Sequence, residues 1–297
     1  DKPDLRNPLY IIDLSDFFKK CTFKPFYNKA VRAIKVTGHM SKGFHEKMLE
    51  FAKSIGMGGL GYLEVQEDLS YKGPIDKFIP DDLKKQLLEL ADLKVNDTIF
   101  FIADDEPIAN ILAGQIRTEL GKRLNLIDEN VFSFCWIVDF PMYELNEHGK
   151  LDFCHNPFSM PQGGLESLKT QQPLDILAYQ YDIVCNGIEL SSGAVRNHDP
   201  EIMIKAFELV GYSKEHIEEK FRALFNAFQY GAPPHAGIAP GVDRMLMLLT
   251  NSETVRDVIA FPMNSKSQDL LMGAPNTVTK EQLQDVHIKL DLPETQK

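Results

Sequence analysis

The chain has 297 residues, of which 43% are hydrophobic and 25% charged, and this length allows two cores of ordinary domain size. The composition excludes a disordered chain, a collagen-like repeat and a small disulfide scaffold. The sequence contains no apolar run long enough to cross a membrane and does not open with a secretory leader. We therefore expect neither a membrane span nor export, and the predicted compartment is the cytosol.

The formal net charge is −11 at pH 7, and the excess of acidic side chains lies after Leu124. Residues 1–124 contain 19 basic and 19 acidic side chains. Because an acidic surface repels phosphate backbones, this balance argues against a protein that coats nucleic acid broadly. A local basic site would still be compatible with it.

The cysteines form no C-x-x-C pair, which favours a reducing compartment and a role as small buried apolar groups. His148 and His155 lie close to one of them in sequence, but no second cluster with ligand spacing accompanies them. A structural zinc site is therefore not predicted. The four cysteines are Cys21, Cys135, Cys154 and Cys185.

The opening segment from Asp1 to Arg6 is rich in turn-forming residues and has no predicted element in front of it. A connector with nothing to connect indicates a chain cut from a longer protein. We expect residues 1–7 to lead in from a missing N-terminal part.

Strand-like and helix-like patterns alternate through the first 124 residues, which predicts a compact α+β module. The alternation between Val31 and Val36 is typical of a strand, and Ser41 is well placed to cap the following helix. The predicted strands are 31–36, 60–65 and 98–102, and the predicted helices are 41–55, 80–90 and 106–124.

The glycines of Gly56–Gly61 match the letters of the dinucleotide-binding pattern G-x-G-x-x-G. They follow a predicted helix and precede a predicted strand, whereas a dinucleotide site needs the glycines between a strand and a helix. This segment is therefore predicted to be a glycine helix cap and a loop.

From Asn125 onward the predicted strands are longer and more apolar, which predicts a second core built from an antiparallel sheet and helices. The predicted strands are 132–139, 181–185 and 188–192, and the predicted helices are 201–210, 214–230 and 243–250.

Two of these strands flank Asn186 and Gly187, which is the strongest short signal for a hairpin. A two-residue loop puts Asp182 and Glu189 on one face of the sheet as diagonal neighbours, roughly 7–8 Å apart at the backbone. Two carboxylates at that separation can reach a common Mg²⁺, which otherwise keeps waters and substrate phosphates as ligands. A solvated polar face is the alternative for a hairpin taken alone.

The second strand runs on towards Arg196, which simple alternation directs away from Glu189. A bulge at Ser192 and Gly193 would reverse the alternation and bring the guanidinium to the carboxylate face. An ordinary surface arginine is the alternative.

Small residues between Ala236 and Gly241 leave room for a flat ligand or for another backbone to approach. Arg244 follows near the first turn of an apolar helix, where the helix dipole disfavours a cation. We expect Arg244 to have an anionic or aromatic partner, and a nucleotide is a suitable one because guanidinium groups stack on rings and pair with phosphates.

The segment Gly237–Arg244 resembles motif 3 of the class II aminoacyl-tRNA synthetases. Four further segments narrow this resemblance to the bacterial-type aspartyl-tRNA synthetases, and it runs from end to end of the chain. These segments are Trp136–Met142, Cys154–Ser159, Asp182–Arg196 and Arg256–Pro262.

The resemblance implies a class II antiparallel sheet flanked by helices, formed by residues 125–297, with a smaller inserted α+β domain of the GAD type at 8–124. It also implies ATP-dependent formation of aspartyl-adenylate and transfer of aspartate to the 3′ end of tRNA. Such chemistry needs positioning and charge neutralisation more than a protein nucleophile, so no nucleophilic side chain is expected.

Individual residues take roles by their position in the family's motifs. Glu189 would hold the ATP-bound Mg²⁺ with support from Asp182, and Arg196 would bind the side-chain carboxylate of L-aspartate bidentately. His155 would lie on a loop near the amino acid, with a surface histidine as the alternative. The nucleotide would be received by Gly241, Val242, Asp243 and Arg244, and Arg244 would also stabilise the transition state.

The chain departs from the family at Asn156, where many relatives have a second histidine, and at Pro240, where they often have a bulky apolar residue. Motifs 1 and 2 and the anticodon-binding barrel are absent from the sequence. We therefore expect a fragment that is inactive alone, while the intact enzyme would be a cytoplasmic homodimer acting on tRNA(Asp), with tRNA(Asn) as an additional candidate substrate.

Two other functions are compatible with parts of the sequence. A non-catalytic binding module related to tRNA is one, because GAD-type modules and synthetase-like folds occur outside the synthetases. An enzyme is favoured over a binding module, because the chain retains both carboxylates and both arginines of the predicted site. These residues are Asp182, Glu189, Arg196 and Arg244. An asparagine- or lysine-specific relative is disfavoured by Arg196 and by the insertion.

Overall fold

The computed structural model describes residues 2–291, so that Asp1, the first residue of the expected connector, and residues 292–297 lie outside the described range. The chain divides into two compact units. The first contains the residues up to Cys135 together with Cys185–Gly187, and the second contains Trp136–Val184 and the residues from Ile188 onward. Within residues 2–291 no helix is both long enough and apolar enough to pass through a membrane.

The first unit is built on a five-stranded antiparallel sheet with the strand order β1-β2-β5-β3-β4. The central pair, β2 and β5, is in continuous register from Ala30 opposite Asp104 to Thr37 opposite Asp97. The strands are β1 (Ile11–Asp13), β2 (Ala30–Thr37), β3 (Gly61–Val65), β4 (Tyr71–Lys72) and β5 (Asp97–Asp104).

Helices cover both faces of this sheet. Alternate residues of β5 therefore enter two different apolar cores. Ile99 and Phe101 belong to one core, whereas Phe100 and Ile102 belong to the other. Burying each such side chain contributes about 1.5–3 kcal/mol to stability. The helices are α1 (Ser15–Phe18), α2 (Lys42–Ser54), α3 (Asp81–Leu90) and α4 (Glu106–Arg123).

The strands and helices predicted for the first unit are confirmed, with shifts of a few residues at their ends. Ser41 caps α2 as expected, since its hydroxyl accepts a hydrogen bond from the backbone N–H of Phe44 at 3.2 Å. Gly56 has a φ of +93° after α2, and β3 begins only at Gly61. The glycine-rich segment is thus a helix end and a loop, as predicted.

The segment before β1 is fixed on α4 instead of being a free linker. The Arg117 guanidinium donates hydrogen bonds to the carbonyl oxygens of Leu9 and Asn7, each at 2.6 Å, and of Asp4 at 3.1 Å. A Cβ added at Gly121 would collide with the Asn7 side chain. The described part of the connector therefore packs as part of the first unit.

The second unit is built on a four-stranded sheet with the order β11-β10-β9-β6, and a two-stranded sheet, β7-β8, accompanies it. The apolar cores of this unit lie among its helices and the smaller sheet. The strands are β6 (Phe134–Pro141), β7 (Tyr143–Leu145), β8 (Leu151–Phe153), β9 (Leu177–Cys185), β10 (Ile188–Val195) and β11 (Ala236–Pro240). The helices are α5 (Gly164–Thr170), α6 (Pro200–Leu209), α7 (Lys214–Lys220), α8 (Arg222–Gln229), α9 (Val242–Thr250) and α10 (Lys280–Asp285).

The single helix predicted over 214–230 is wrong, because the structure breaks it at Phe221 into α7 and α8. Phe221 has φ −117° and ψ 28°, outside the helical region. Its ring packs against Phe158 and Phe207, with centroid distances of 5.1 and 5.6 Å. Contacts with rings that are distant in sequence thus override a continuous helical pattern.

The α+β fold class is confirmed: antiparallel sheets and helices make up both units. The expected boundary between residues 124 and 125 falls just after α4, inside the first unit. The assignment of 8–124 to a GAD-type insertion and of 125–297 to the catalytic part stays a prediction.

Candidate active site

A tight hairpin joins β9 to β10 through Asn186 and Gly187, as the sequence predicted. Both residues are left-handed, with φ +51° and +82°, and this is the geometry of a two-residue type I′ turn. Such a turn pairs Cys185 with Ile188, and alternation from that pair keeps Asp182 and Glu189 on one face. The distance between the two carboxylates stays a prediction.

Arg244 and Glu189 meet directly, although 55 residues separate them in sequence. One guanidinium nitrogen, Nη1, donates to the Glu189 Oε1 atom at 2.9 Å and to the Glu189 carbonyl oxygen at 2.7 Å. The expectation that an arginine near the start of a helix has an anionic partner is therefore confirmed. Both side chains keep part of their surface exposed, 44% for Arg244 and 24% for Glu189, so a ligand can reach them.

The other residues expected to receive a nucleotide lie at the start of α9. Gly241 precedes the helix, its N–H donates to the Leu190 carbonyl at 2.7 Å, and an added Cβ would lie 3.3 Å from that oxygen. Val242 and Asp243 are exposed in the first turn. The absence of a side chain at Gly241 thus allows the start of α9 to lie close to β10. The free N–H groups of a helix start favour an anionic group.

Pro240 departs from the family pattern at a position that tolerates proline. It is the last residue of β11, which is the edge strand of the sheet, and it pairs with Ser191 of β10. A proline lacks the N–H that a central strand would need, whereas an edge strand has one side free of pairing. The substitution therefore leaves the β10-β11 pairing intact.

The donor set around Glu189 fits a hard cation. The Glu189 Oε2 atom and the half-buried Asp182 carboxylate make no ion pair within residues 2–291, and the buried hydroxyl of Ser191 has no hydrogen-bond partner there. These groups offer oxygen atoms only, which suits Mg²⁺. In that same part of the chain no three His, Cys, Asp or Glu side chains are grouped to hold a metal. Phosphate and water oxygens would have to complete the coordination.

Tyr181 connects β9 to β11 across the intervening strand, β10. Its hydroxyl donates to the carbonyl oxygen of Gly237 at 3.1 Å, and its ring packs edge-on against Trp136 at 5.8 Å. The ring passes over Gly193, where an added Cβ would lie 2.5 Å from the ring and would also strike the Gly237 carbonyl oxygen. Only glycine fits at this point of β10.

Gly193→Ala should destabilise the protein by about 1–3 kcal/mol, because the new methyl group overpacks the Tyr181 ring and the β11 backbone. Gly237→Ala is the matched control, since an added Cβ there meets nothing within 4 Å. Urea-induced unfolding of the wild-type protein and of the two variants measures the difference in the free energy of unfolding. Equal stabilities for the two variants would contradict the packing described for Gly193.

Arg196 lies at the far end of β10 from Glu189, roughly 23 Å away at 3.3 Å per residue. Its N–H donates to the His235 carbonyl oxygen at 2.9 Å. It lines a cavity of about 300 Å³, here named the Arg196 cavity, that contains neither Glu189 nor Arg244. The structure therefore does not bring Arg196 into a common cavity with the Arg244–Glu189 pair.

The bulge considered at Ser192 and Gly193 is not present between β10 and β11, because these strands pair without interruption from Ser191 to Val195. The close approach of Tyr181 explains the glycine at 193 instead. The side-chain alternation is therefore not reversed along this pair of strands. Nothing in their pairing turns Arg196 towards the face that bears Glu189.

His155 does not line the same cavity as Arg196. It lines a different cavity, of about 330 Å³, together with Tyr212, His216 and other residues, and its ring contacts Phe140 edge-on at 5.2 Å. The neighbouring Asn156 caps the loop, since its Oδ1 atom accepts the Phe158 N–H at 2.9 Å. The role of His155 beside a bound amino acid stays a prediction.

Cys154 lies next to His155 but is a poor nucleophile. Burial and the nearby Glu144 carboxylate raise the pKa of the Cys154 thiol to about 11. The sulfur atom lies 3.6 Å from the Glu144 Oε2 atom. Since only the thiolate reacts, the Cys154 side chain is not suited to covalent catalysis at neutral pH.

Alkylation of Cys154 by iodoacetamide should be slow at pH 8, where about one thiol in a thousand is ionised, and should accelerate as the pH approaches 11. Glu144→Gln removes a negative charge and so lowers the pKa of Cys154. The rate at pH 8 should then rise only a few-fold, because burial is the larger cause. Mass spectrometry of the Cys154 peptide follows the reaction. A wild-type rate at pH 8 equal to that of a free peptide thiol would contradict this environment.

A sequence model of the family described as tRNA synthetases class II (D, K and N) matches residues 1–265. The chain belongs to this family. The resemblance to class II synthetases, first noted on Gly237–Arg244, is thereby confirmed.

Relatives within this synthetase family are similar over almost the whole chain. The aspartate–tRNA(Asp/Asn) ligase of Ehrlichia chaffeensis is 51% identical in an alignment of 291 residues that covers 95% of this chain and 49% of that protein. The aspartate–tRNA(Asp/Asn) ligase of Beijerinckia indica is 52% identical over 99% of this chain and 51% of that protein. The aspartate–tRNA ligase of Streptomyces avermitilis is 49% identical over the same shares. The chain spans about half the length of these relatives.

A solved aspartyl tRNA synthetase from Entamoeba histolytica aligns with 81% of this chain and 44% of its own, with a TM-score of 0.36 and 20% identity. A likeness this weak carries no argument about the candidate site.

Sequence reasoning passed over two residues of the candidate site. Tyr181 stood only as a strand residue and His235 only as part of a small-residue stretch, yet one clamps β10 and the other borders Arg196. The signal for Tyr181 was a large side chain in the strand that faces Gly193. A contact of this kind depends on which strands are neighbours, so local pattern alone does not reveal it.

Proposed function

We propose that the chain is part of a longer aspartate–tRNA ligase, which activates L-aspartate with ATP and transfers it to tRNA. The observation that carries the proposal is the Arg244–Glu189 pair at the start of α9, in a chain that belongs to the class II (D, K and N) family. Relatives named as aspartate–tRNA ligases are about half identical to the chain, which supports aspartate as the amino acid.

In the proposed reaction the aspartate α-carboxylate attacks the α-phosphorus of ATP, the bond to pyrophosphate breaks and aspartyl-adenylate forms. The 3′-terminal ribose hydroxyl of tRNA then attacks the activated carbonyl group and AMP leaves. Mg²⁺, when bound, neutralises phosphate charge. Glu189 and Asp182 are the residues that would hold it, and Gly241, Val242 and Asp243 would receive the nucleotide at the start of α9.

Arg244 has two partners in the proposed cycle. Without ligand its charge is matched by the Glu189 carboxylate at 2.9 Å. In the presence of a nucleotide, Glu189 would serve as a ligand of the bound Mg²⁺, and the Arg244 guanidinium would contact the adenine ring and the phosphates instead. Arg244 would thus face an anionic partner in both states.

Arg196 would bind the aspartate side-chain carboxylate at the opposite end of β10. Its cavity is separate from the Arg244–Glu189 pair, so the proposal requires ATP and aspartate to lie end to end along the strand. A planar guanidinium pairs with a carboxylate through two parallel hydrogen bonds, which favours aspartate over asparagine. His155 would approach the amino acid only by movement of its loop.

The proposed partners are tRNA(Asp) and, by analogy with the relatives named for both, tRNA(Asn). The chain matches about half the length of those relatives, so much of the tRNA-binding surface would belong to the rest of the protein. We further propose that the full-length protein is a homodimer that works in the cytoplasm.

Isotope exchange between pyrophosphate and ATP in the full-length protein tests the proposal. Exchange should require Mg²⁺ and aspartate, and asparagine or lysine should not replace aspartate. The isolated chain should show negligible exchange, since half of the relatives' length is missing from it. Exchange that depends on lysine or asparagine, or no exchange with any amino acid, would reject the proposed function, and the second result would favour a binding module.

A further inference from the structure

The tip of the β9-β10 hairpin, residues 185–188, is enclosed by other segments of the chain. Connections at the end of a hairpin are usually exposed. Here Cys185 is buried and the other three residues of the hairpin tip are half-buried. Glu189 and Leu190 follow directly. Whatever holds the hairpin tip therefore also holds the beginning of β10.

The Asn186 side chain fixes the hairpin tip to the segment that leads into β6. Its Oδ1 atom accepts the Ser133 N–H at 2.9 Å, and its Nδ2 atom donates to the Val131 carbonyl oxygen at 3.0 Å. The Asn186 N–H also donates to the Ser133 carbonyl oxygen at 3.2 Å. One side-chain bond needs an acceptor and the other needs a donor, so an amide group satisfies both at once.

The turn itself does not need the Asn186 side chain. A two-residue type I′ turn requires a positive φ at both central positions, and glycine adopts such a φ without steric cost. The side-chain hydrogen bonds of Asn186 instead reach residues that are 53 and 55 positions away in sequence. They are therefore long-range contacts that are added to a turn which can form without them.

A second segment also packs on the hairpin tip. A Cβ added at Gly187 would lie 3.5 Å from the Asp4 Cβ atom and 3.7 Å from the Lys2 carbonyl oxygen. Asp4 is itself held by Arg6, whose guanidinium donates to the two carboxylate oxygens at 3.0 and 2.8 Å. The hairpin tip is thus bordered by two segments that are distant from it in sequence.

The residues just after the hairpin tip provide the acceptors that hold the start of α9. The Glu189 carbonyl and carboxylate oxygens accept from Arg244 at 2.7 and 2.9 Å, and the Leu190 carbonyl oxygen accepts the Gly241 N–H at 2.7 Å. Glu189 and Leu190 lie only three and four residues beyond Asn186. A shift of the beginning of β10 would therefore move all three acceptors together.

We propose that Asn186 is a positioning residue, whose side-chain hydrogen bonds to residues 131 and 133 hold the beginning of β10 where Glu189 serves Arg244 and the ATP-bound Mg²⁺. This inference rests on the proposed function, because it takes ATP and Mg²⁺ as the ligands of the site around Glu189. Asn186 acts through the backbone of β10.

The consequence is a loss of affinity for one substrate. Without the Asn186 side chain, the arrangement that binds the nucleotide is populated only part of the time, and the apparent affinity falls by that fraction. A hydrogen bond between neutral groups corresponds to a factor of about five. Saturating ATP and Mg²⁺ restore the arrangement, so kcat is retained. Aspartate is unaffected, because Arg196 lies at the opposite end of β10.

The test compares wild-type and Asn186→Gly full-length protein in pyrophosphate exchange, with ATP, Mg²⁺ and aspartate varied in turn. Glycine keeps the turn but removes both side-chain bonds. The KM for ATP and the Mg²⁺ concentration for half-maximal exchange should each rise about five- to tenfold, whereas kcat and the KM for aspartate should change less than about twofold. A merely structural role would lower the amount of active protein and leave every KM unchanged.

Asn125→Gly is the matched control, because Asn125 has nearly the same φ, +52°, but uses it to end α4. It should leave all the constants unchanged. An unchanged requirement for ATP and Mg²⁺ in Asn186→Gly, an equal rise in the KM for aspartate, or the same changes in the control would overturn the inference while wild-type exchange upholds the proposed function. A wild-type protein without aspartate-dependent exchange would overturn both.

Discussion

Glu189→Gln should lower the rate of aspartate-dependent pyrophosphate exchange in the full-length protein by about 100- to 1000-fold. Magnitudes of this size are typical when a preorganised charge or donor that stabilises the transition state is removed. The proposed Mg²⁺ would lose one of its two carboxylate ligands. The concentration of Mg²⁺ needed for half-maximal exchange should therefore rise as well.

Glutamine is an informative substitution here because it retains an oxygen atom at the same place. The Arg244 Nη1 atom can still donate to that oxygen and to the backbone carbonyl of residue 189, so the start of α9 should stay beside β10. What the variant loses is the negative charge. A neutral amide oxygen is a weaker ligand for a hard divalent cation than a carboxylate.

Glu218→Gln provides the control for a general effect of charge. Glu218 lies on α7, where its carboxylate is exposed and pairs with Lys214 at 3.6 Å. Surface pairs of this kind contribute at most about 1 kcal/mol, so exchange should be unchanged. If Glu189→Gln exchanged pyrophosphate at the wild-type rate, with an unchanged Mg²⁺ requirement, Glu189 would not hold the metal.

The parts of the fold that depend on neighbouring residues could be predicted from the sequence. Asn186 and Gly187 adopt the left-handed conformations that a two-residue turn requires, and few other residue pairs do so at low cost. Ser41 caps α2 because its hydroxyl reaches a backbone N–H three residues later. In both cases the physical cause lies within a few residues of the signal.

Features that depend on the arrangement of strands and helices could not be predicted in this way. The break at Phe221 follows from two rings that are distant in sequence. The contact between Arg244 and Glu189 requires β11 to lie beside β10, which local patterns do not specify. The resemblance to a family suggested that both residues serve one nucleotide, but it did not show that they pair with each other.

Arg196 shows the limit of arguments from strand alternation. Alternation assigns faces only while the strand continues, and β10 ends at Val195. Beyond that residue the backbone of Arg196 is held by His235 and pairs with Ser159 as an isolated bridge. The direction of the Arg196 side chain is therefore determined by the segments that border the Arg196 cavity.

Arg196→Lys should raise the KM for aspartate by about 100-fold or more and change the KM for ATP by less than about threefold. A site built to hydrogen-bond a particular group discriminates strongly when those bonds cannot form. Lysine keeps the positive charge but presents it as a single point, so it cannot reproduce two parallel hydrogen bonds to a carboxylate. The measurement is pyrophosphate exchange with each substrate varied in turn.

Arg222→Lys is the matched control, because Arg222 is an exposed residue at the start of α8 and the same chemical change there should alter neither constant. Equal increases in both KM values for Arg196→Lys would reject the assigned role, since they would indicate a general disturbance of the sheet. A selective loss of aspartate binding would instead place the amino acid in the Arg196 cavity. Because the Arg244–Glu189 pair lies outside that cavity, ATP and aspartate would then bind at opposite ends of β10. The length of β10 would then determine how far apart the two binding sites lie.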